Sequence, residues 1–208
     1  MKKGIFITFE GTDGSGKSTQ IERFAAYIRE RGFDMLLTRE PGGTDVSEKI
    51  RSIILDPENT EESPVTEALL YAASRAQLVS EKIKPALEKG TVVICDRFVD
   101  SSIAYQAYAR DLGDDVLKIN EFAVQGVMPD ITFFLDIDPE SAKKRRAERG
   151  TSDRLENEGL GFQIRVYEGY KKLIEKYPDR FRVIDAKKSP DEVFEDIVKA
   201  FCEHETRA

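Results

Sequence analysis

The sequence has 208 residues, 40% hydrophobic and 34% charged, a length and mix that suit one soluble globular domain rather than a disordered chain. Its net charge of -7 argues against a general binder of nucleic acid or of anionic membranes, so any anionic ligand must be held by local clusters of Lys and Arg. Cys95 and Cys202 lie far apart and His204 is the only histidine, which leaves a zinc site or a Cys/His nucleophile without partners and suits a reducing compartment.

Met1-Lys2-Lys3 ahead of an apolar run has the look of a signal peptide. The run stops at Glu10, too short for a leader core or a membrane span, and the expectation is a cytoplasmic protein. Ile5–Phe9 is a continuous β-rich run of the kind buried on both faces of a sheet. Met35–Thr38, Thr91–Cys95 and Ile131–Ile137 resemble it, and Phe181–Ile184 supplies a fifth strand. Helical patterns fill the gaps. Gln20–Arg31 places Ile21, Phe24, Ala25 and Ile28 on one face and ends at Gly32, a C-cap residue. Val46–Leu55, Thr66–Lys89, Ser101–Arg110 and Asp115–Val127 follow, then Glu140–Arg149, Phe162–Tyr177 and Asp191–Cys202, with Pro85 expected to kink or interrupt the long one. Strands alternating with helices imply a parallel sheet with right-handed crossovers and helices on both faces: one three-layer α/β/α domain over residues 1–208 around five central strands. Ligands in such folds bind beyond the carboxyl ends of the strands.

Gly11-Thr12-Asp13-Gly14-Ser15-Gly16-Lys17-Ser18 fits the pattern G-x-x-x-x-G-K-[ST]. Glycines let main-chain N–H groups approach phosphate oxygens, and the helix that starts near Lys17 adds the positive end of its dipole. In this motif Lys17 reaches the β- and γ-phosphates of a nucleoside triphosphate and the Ser18 hydroxyl ligates Mg2+. A chance glycine-rich turn is the plain alternative, and the placement between an apolar strand and an amphipathic helix argues against it. The fold expected is therefore of the P-loop NTPase type.

A phosphate loop alone does not separate a kinase from a GTPase switch or a motor ATPase, although no Asn-Lys-x-Asp guanine-reading motif is present. The loop from Phe9 to Ser18 is followed in order by Thr38-Arg39-Glu40-Pro41-Gly42-Gly43 and Tyr71-Ala72-Ala73-Ser74-Arg75. Then come Asp96-Arg97-Phe98, Asp100-Ser101-Ser102-Ile103-Ala104-Tyr105-Gln106 and Pro129-Asp130. In order and spacing, along nearly the whole chain, this set resembles the thymidylate kinase family. The resemblance implies in-line phosphoryl transfer from ATP, with Mg2+, to dTMP, giving dTDP and ADP, and it implies a homodimer.

The residue types suit those roles. Asp96 ends a strand, where an acid can hold Mg2+ or its water shell, and Arg97 offers a planar fork for the acceptor phosphate. A strand-end Asp-Arg salt bridge is the bland reading of that pair. Tyr71 and Arg75 are four apart on a helix and share a face, so a ring can stack on a base while the arginine donates to its edge. The resemblance implies that this is the thymine pocket. It also implies that Asp13 contacts the deoxyribose hydroxyl, that Arg51 assists Arg97, and that Ser102, Tyr105 and Gln106 line base and sugar. Simple helix-surface polarity would equally explain Ser102 and Gln106. Arg39 either reaches the acceptor phosphate or braces the Pro41-Gly42-Gly43 turn.

Lys143 to Arg154 carries six positive and two negative side chains in an acidic protein, broken by Gly150. Such a run is commonly a solvated helix face. A kinase, however, needs positive charge that arrives with the triphosphate and excludes water. Members of the family carry a catalytic arginine either in the phosphate loop or in this lid. Gly14 occupies the loop position here, so the lid, about residues 143–156, is expected to supply it: Arg149 first, then Arg145, Arg146 and Arg154. Two departures stand out, Phe98 where the family often has Tyr or His and Tyr71 where it often has Phe. The rival readings are another nucleoside monophosphate or deoxynucleoside kinase, and an ATP-dependent switch without turnover.

Overall fold

The computed structural model describes residues 4–147, 154–155 and 158–206, with the side chain of Arg146 not included. Five strands, β1 (Phe6–Glu10), β2 (Met35–Arg39), β3 (Val92–Asp96), β4 (Ile131–Asp136) and β5 (Phe181–Asp185), form one sheet in the order β2-β3-β1-β4-β5. Every pairing is parallel, with Phe9 opposite Asp96 on one side and Phe133 on the other. All five β-rich runs of the sequence are strands, shifted by a residue at most at each end.

Alternation along the strands divides the core. Phe6, Val93 and Phe134 face one layer, where Leu78, Val166 and Tyr170 pack. Ile7, Phe9, Ile94, Phe133 and Leu135 face the other, against Phe24 and Ile28 of α1 (Lys17–Glu30) and Ile197 and Phe201 of α9 (Pro190–Glu205). Phe24 is fully buried and its ring meets those of Phe9, Phe133 and Phe201 at 5.7, 5.7 and 5.2 Å, each contact worth roughly 0.5–1.5 kcal/mol beyond area burial.

The other helices are α2 (Asp45–Leu55), α3 (Pro64–Leu78), α4 (Lys84–Glu88), α5 (Val99–Ser102), α6 (Asp114–Ala123), α7 (Pro139–Ala147) and α8 (Leu160–Lys176). Side-chain caps start several: Thr44 accepts from the Ser47 N–H, Ser63 from Thr66, and Ser189 with Glu192 closes a capping box ahead of α9. The helix expected over Thr66–Lys89 is α3, then a π-helical turn Val79–Ile83, then α4. Lys84 N–H donates to Val79 O, five residues back, and Pro85 falls at the start of the next α-helical turn, where its missing N–H has little to lose. The helix expected over Ser101–Arg110 is likewise α5 followed by a π-helical stretch, Ile103–Ala109. That stretch carries Tyr105 and Gln106. α6 ends earlier than expected because Gln125 and Gly126 take φ of 52° and 76°. Among the described residues no helix is long and apolar enough to cross a membrane.

Candidate active site

A cavity of about 470 Å³ opens beyond the carboxyl ends of β1, β2 and β3. The loop joining β1 to α1 forms one wall. Gly11 takes φ 142°, and a Cβ there would stand 2.9 Å from Leu135 O, so both conformation and space demand glycine. Gly16, at φ 91°, precedes α1 with no side-chain cap, and the first turn of that helix has no acid. Its N–H groups and dipole are thus unshielded at the cavity. Lys17 Nζ donates to Gly11 O and Thr12 O at 3.0 and 3.2 Å, with Asp13 at 3.8 Å. Burial pulls the Lys17 pKa down and the Arg97 charge adds to this, while Asp13 opposes both.

Opposite the loop, Arg97 follows β3 in a left-handed conformation, φ 66°. Its N–H donates to Phe9 O at 2.9 Å, which ties this turn to β1. Its guanidinium donates to Asp13 at 2.7 Å, Ser101 at 3.1 Å and the Tyr170 hydroxyl at 3.2 Å. Burial works against the Arg97 charge, but Asp13 first and then neighbouring oxygens outweigh it and hold the pKa well above the usual value. Behind these hydroxyls lies Glu10, fully buried. It accepts from the Phe98 N–H at 2.7 Å, Ser101 Oγ at 2.6 Å and the Tyr170 hydroxyl at 2.8 Å. Burial raises the Glu10 pKa, helped by Asp100, and Arg97 lowers it. Glu10 and Ser101 stand inside motifs quoted above but without a role of their own, and Tyr170 stands in none. The break of an apolar strand by an acid at position 10 is the local signal for Glu10.

Ser18 and Asp96 share the cavity wall, and Asp96 Oδ1 is buried without a hydrogen-bond partner among the described residues. An orphaned carboxylate oxygen and a hydroxyl on one cavity wall are a fitting donor set for Mg2+, which takes one or two protein oxygens and leaves the remaining positions to phosphates and water. Among the described residues no cluster of three or more His, Cys, Asp or Glu able to hold a metal occurs.

The far end of the cavity is a side-chain wall. Arg75 is 1% exposed and donates to Glu40 at 2.5 Å, to Ser102 at 3.0 Å and to Asn120, and its guanidinium lies over the Phe98 ring at 5.3 Å. Phe98 therefore supports the buried cation from below rather than offering a hydroxyl. Glu40 is pushed up to about 7 by burial, against the pull of Arg75. Tyr71, one helical turn before Arg75, lines the cavity with Tyr105 and Gln106.

The structure brings Asp13, Gly14, Gly16, Lys17, Ser18, Arg51, Tyr71, Arg75, Asp96, Arg97, Tyr105 and Gln106 to this one cavity. Gly11, Thr12, Ser15 and Ser102 do not line it. The first three belong to the loop itself, and Ser102 holds Arg75. Arg51 donates to Pro41 O at 2.7 Å. Arg39 also reaches the cavity wall but pairs with Glu48 at 2.9 Å, and Glu48 accepts from the Gly43 N–H at 2.7 Å, so Arg39 braces the turn. Of the lid arginines, Arg145 lines the cavity while donating to Ala186 O at 2.9 Å. Arg154 turns to the α2–α3 connection, donating to Ile54 O, Glu62 and Glu67. Arg149 and the Arg146 side chain lie outside the described residues.

A glycine loop at the centre of a parallel sheet, with a buried arginine anchored on the adjoining strand, defines a P-loop phosphotransferase architecture. Comparison with known proteins narrows this. The model of the thymidylate kinase family matches residues 9–197, and the chain belongs to that family. It is 53% identical over 195 residues to a thymidylate kinase of Geobacillus sp., covering 92% of this chain and 93% of that one. It is also 53% identical over 197 residues to one of Thermoanaerobacter sp., covering 94% and 96%. The crystal structure of thymidylate kinase from Ehrlichia chaffeensis superposes with a TM-score of 0.79 at 33% identity, over 96% of this chain and 99% of that one.

Proposed function

We propose that this chain transfers the γ-phosphoryl group of ATP to dTMP, giving dTDP and ADP. The observation that carries the reading is the single cavity shared by the phosphate loop, Arg97 and the Tyr71–Arg75 face. Main-chain N–H groups of Gly11–Ser18 and the Lys17 ammonium bind and orient the donor phosphates. Arg97, fixed by Asp13, Ser101 and Tyr170, holds the acceptor phosphate, with Arg51 beside it. Tyr71 stacks on the base and Arg75 donates to its edge, while Asp13 and Tyr105 face the sugar. Ser18 and Asp96 hold Mg2+, which when bound neutralises charge on the donor phosphates. The acceptor is already an anion at neutral pH, so no strong general base is required, and catalysis rests on positioning and on charge neutralisation. Arg149 is the lid residue assigned to the transition-state charge, with Arg145 second.

The chain acts as one kinase domain, in the cytoplasm, on small molecules rather than nucleic acid or membrane. A homodimer is the assembly that best uses the exposed apolar side chains Leu69 of α3 and Phe122 of α6, 52% and 86% exposed on two helices packed together. Measuring ADP release with a panel of nucleoside monophosphates tests the catalytic reading. Turnover with dTMP in clear preference is expected. Preference for another acceptor would move the chain to a different kinase specificity, and binding of ATP without turnover would make it a switch.

A further inference from the structure

The base-facing side chains have a defined hydrogen-bond polarity. Gln106 is 1% exposed, lines the cavity, and donates through Nε2 to Glu67 Oε1 at 2.8 Å. Its Oε1 is buried without a hydrogen-bond partner among the described residues, and Arg75 Nε is buried in the same condition. One free acceptor and one free donor on adjacent walls match the 4-oxo and N3–H edge of thymine or uracil. Cytosine presents the reverse, a 4-amino donor beside a bare ring nitrogen.

An amide can present either end to a ligand, so something must decide which. Glu67 is fully buried on α3 and carries two guanidinium groups on its other lone pairs, Arg110 at 3.1 Å and Arg154 at 2.7 Å. A carboxylate clamped between two cations only accepts. Gln106 can therefore offer it only the NH2 end, which leaves the carbonyl end for the base. We infer that Glu67 is a positioning residue that fixes the amide orientation of Gln106 and thereby sets the preference of the pocket for an oxo over an amino pyrimidine. This deepens the proposed function and rests on it, since it takes the base to lie against Gln106.

The arrangement has a consequence for the lid. Arg154 belongs to the basic segment, yet its NH2 group is shared between Glu62 and Glu67, both at 2.7 Å. The same carboxylate that orients the base reader anchors one end of that segment.

The test compares kcat/KM for dTMP and dCMP. Glu67→Gln can donate to Gln106 and so permits the flipped amide. The dTMP-to-dCMP ratio is expected to fall about 10–100-fold, the effect of leaving one buried hydrogen-bonding group mismatched. Glu67→Asp keeps an acceptor-only group and should keep most of the ratio even where both rates drop. In a Gln106→Met background, Glu67→Gln should leave the ratio where Gln106→Met alone puts it. The charge-balanced pair Glu67→Gln with Arg110→Gln carries the same expectation and serves if the single variant does not fold. If Glu67→Gln lowers both substrates alike while Gln106→Met shifts the ratio, the role of Glu67 is structural only and the inference falls. If Gln106→Met leaves the ratio untouched, the base does not lie against Gln106 and the underlying pocket assignment falls with it.

Discussion

The phosphate loop and the wall around Arg75 face the same cavity but are built in opposite ways. The loop is made of main chain: glycine conformations, a helix start without a side-chain cap, and a lysine that folds over its own carbonyls. The wall is made of long side chains from separate parts of the sequence, with Arg75 gathering Glu40, Ser102 and Asn120 across 35, 27 and 45 residues. A main-chain site is fixed by local spacing and fails locally. A side-chain site depends on mutual pairing, so the loss of one member leaves the others buried and unsatisfied.

The contrast can be broken most sharply at Lys17. Lys17→Ala should lower kcat on the order of 10³-fold, about 4 kcal/mol of transition-state stabilisation, with KM for dTMP nearly unchanged and the thermal midpoint little altered. Steady-state ADP release and a melting curve check both halves. A comparable drop in affinity for dTMP would show that loop and wall are not separable.

Arg75→Met should act the other way, chiefly through stability. At pH 8, where Glu40 is ionised, it leaves a buried carboxylate without its cation, a loss of roughly 3–5 kcal/mol in denaturant unfolding, together with a raised KM for dTMP. The loss should shrink at pH 6, because Glu40 titrates at about 7.

That titration has its own signature. The folded chain keeps a proton on Glu40 between the ordinary value of 4.5 and about 7, a range in which the unfolded chain has released it. Raising the pH through this window therefore lowers stability, by on the order of 3–4 kcal/mol for a shift of this size, and the contribution is fully present only below 4.5. Glu40→Gln should flatten that part of a stability-against-pH curve. An unchanged slope would place the titration elsewhere.

Arg39 gives the smallest effect. Its pair with Glu48 is half exposed, so Arg39→Ala should change stability by less than about 1 kcal/mol and leave KM for dTMP in place. A large rise in KM would mean that Arg39 serves the acceptor phosphate after all.

The same contrast explains what could be read in advance. The strands were legible because strands buried on both faces, such as β1 and β4, give unbroken apolar runs, and the loop because its chemistry demands glycines at set intervals. Arg75 stood out only through its spacing from Tyr71 and through family resemblance. Glu40 stood inside a family motif but without a role, and Asn120 and Glu67 did not stand out at all, since a buried polar group paired over dozens of residues leaves no periodic trace. The π-helical turns at Val79–Ile83 and Ile103–Ala109 were hidden for a related reason: each adds one residue per turn without altering the apolar pattern enough to mark it. Arg149, the lid residue chosen first, lies outside the described residues.

The sheet order has a consequence for the distance over which chemistry must happen. β1 and β3 are hydrogen-bonded neighbours, and the donor loop leaves the end of one while Arg97 leaves the end of the other. Adjacent strands lie about 4.8 Å apart whatever their sequence. On the proposed assignment of the loop to the donor and Arg97 to the acceptor, the gap between giver and receiver is gauged by a peptide ladder, a ruler that side-chain substitutions in the cavity do not stretch.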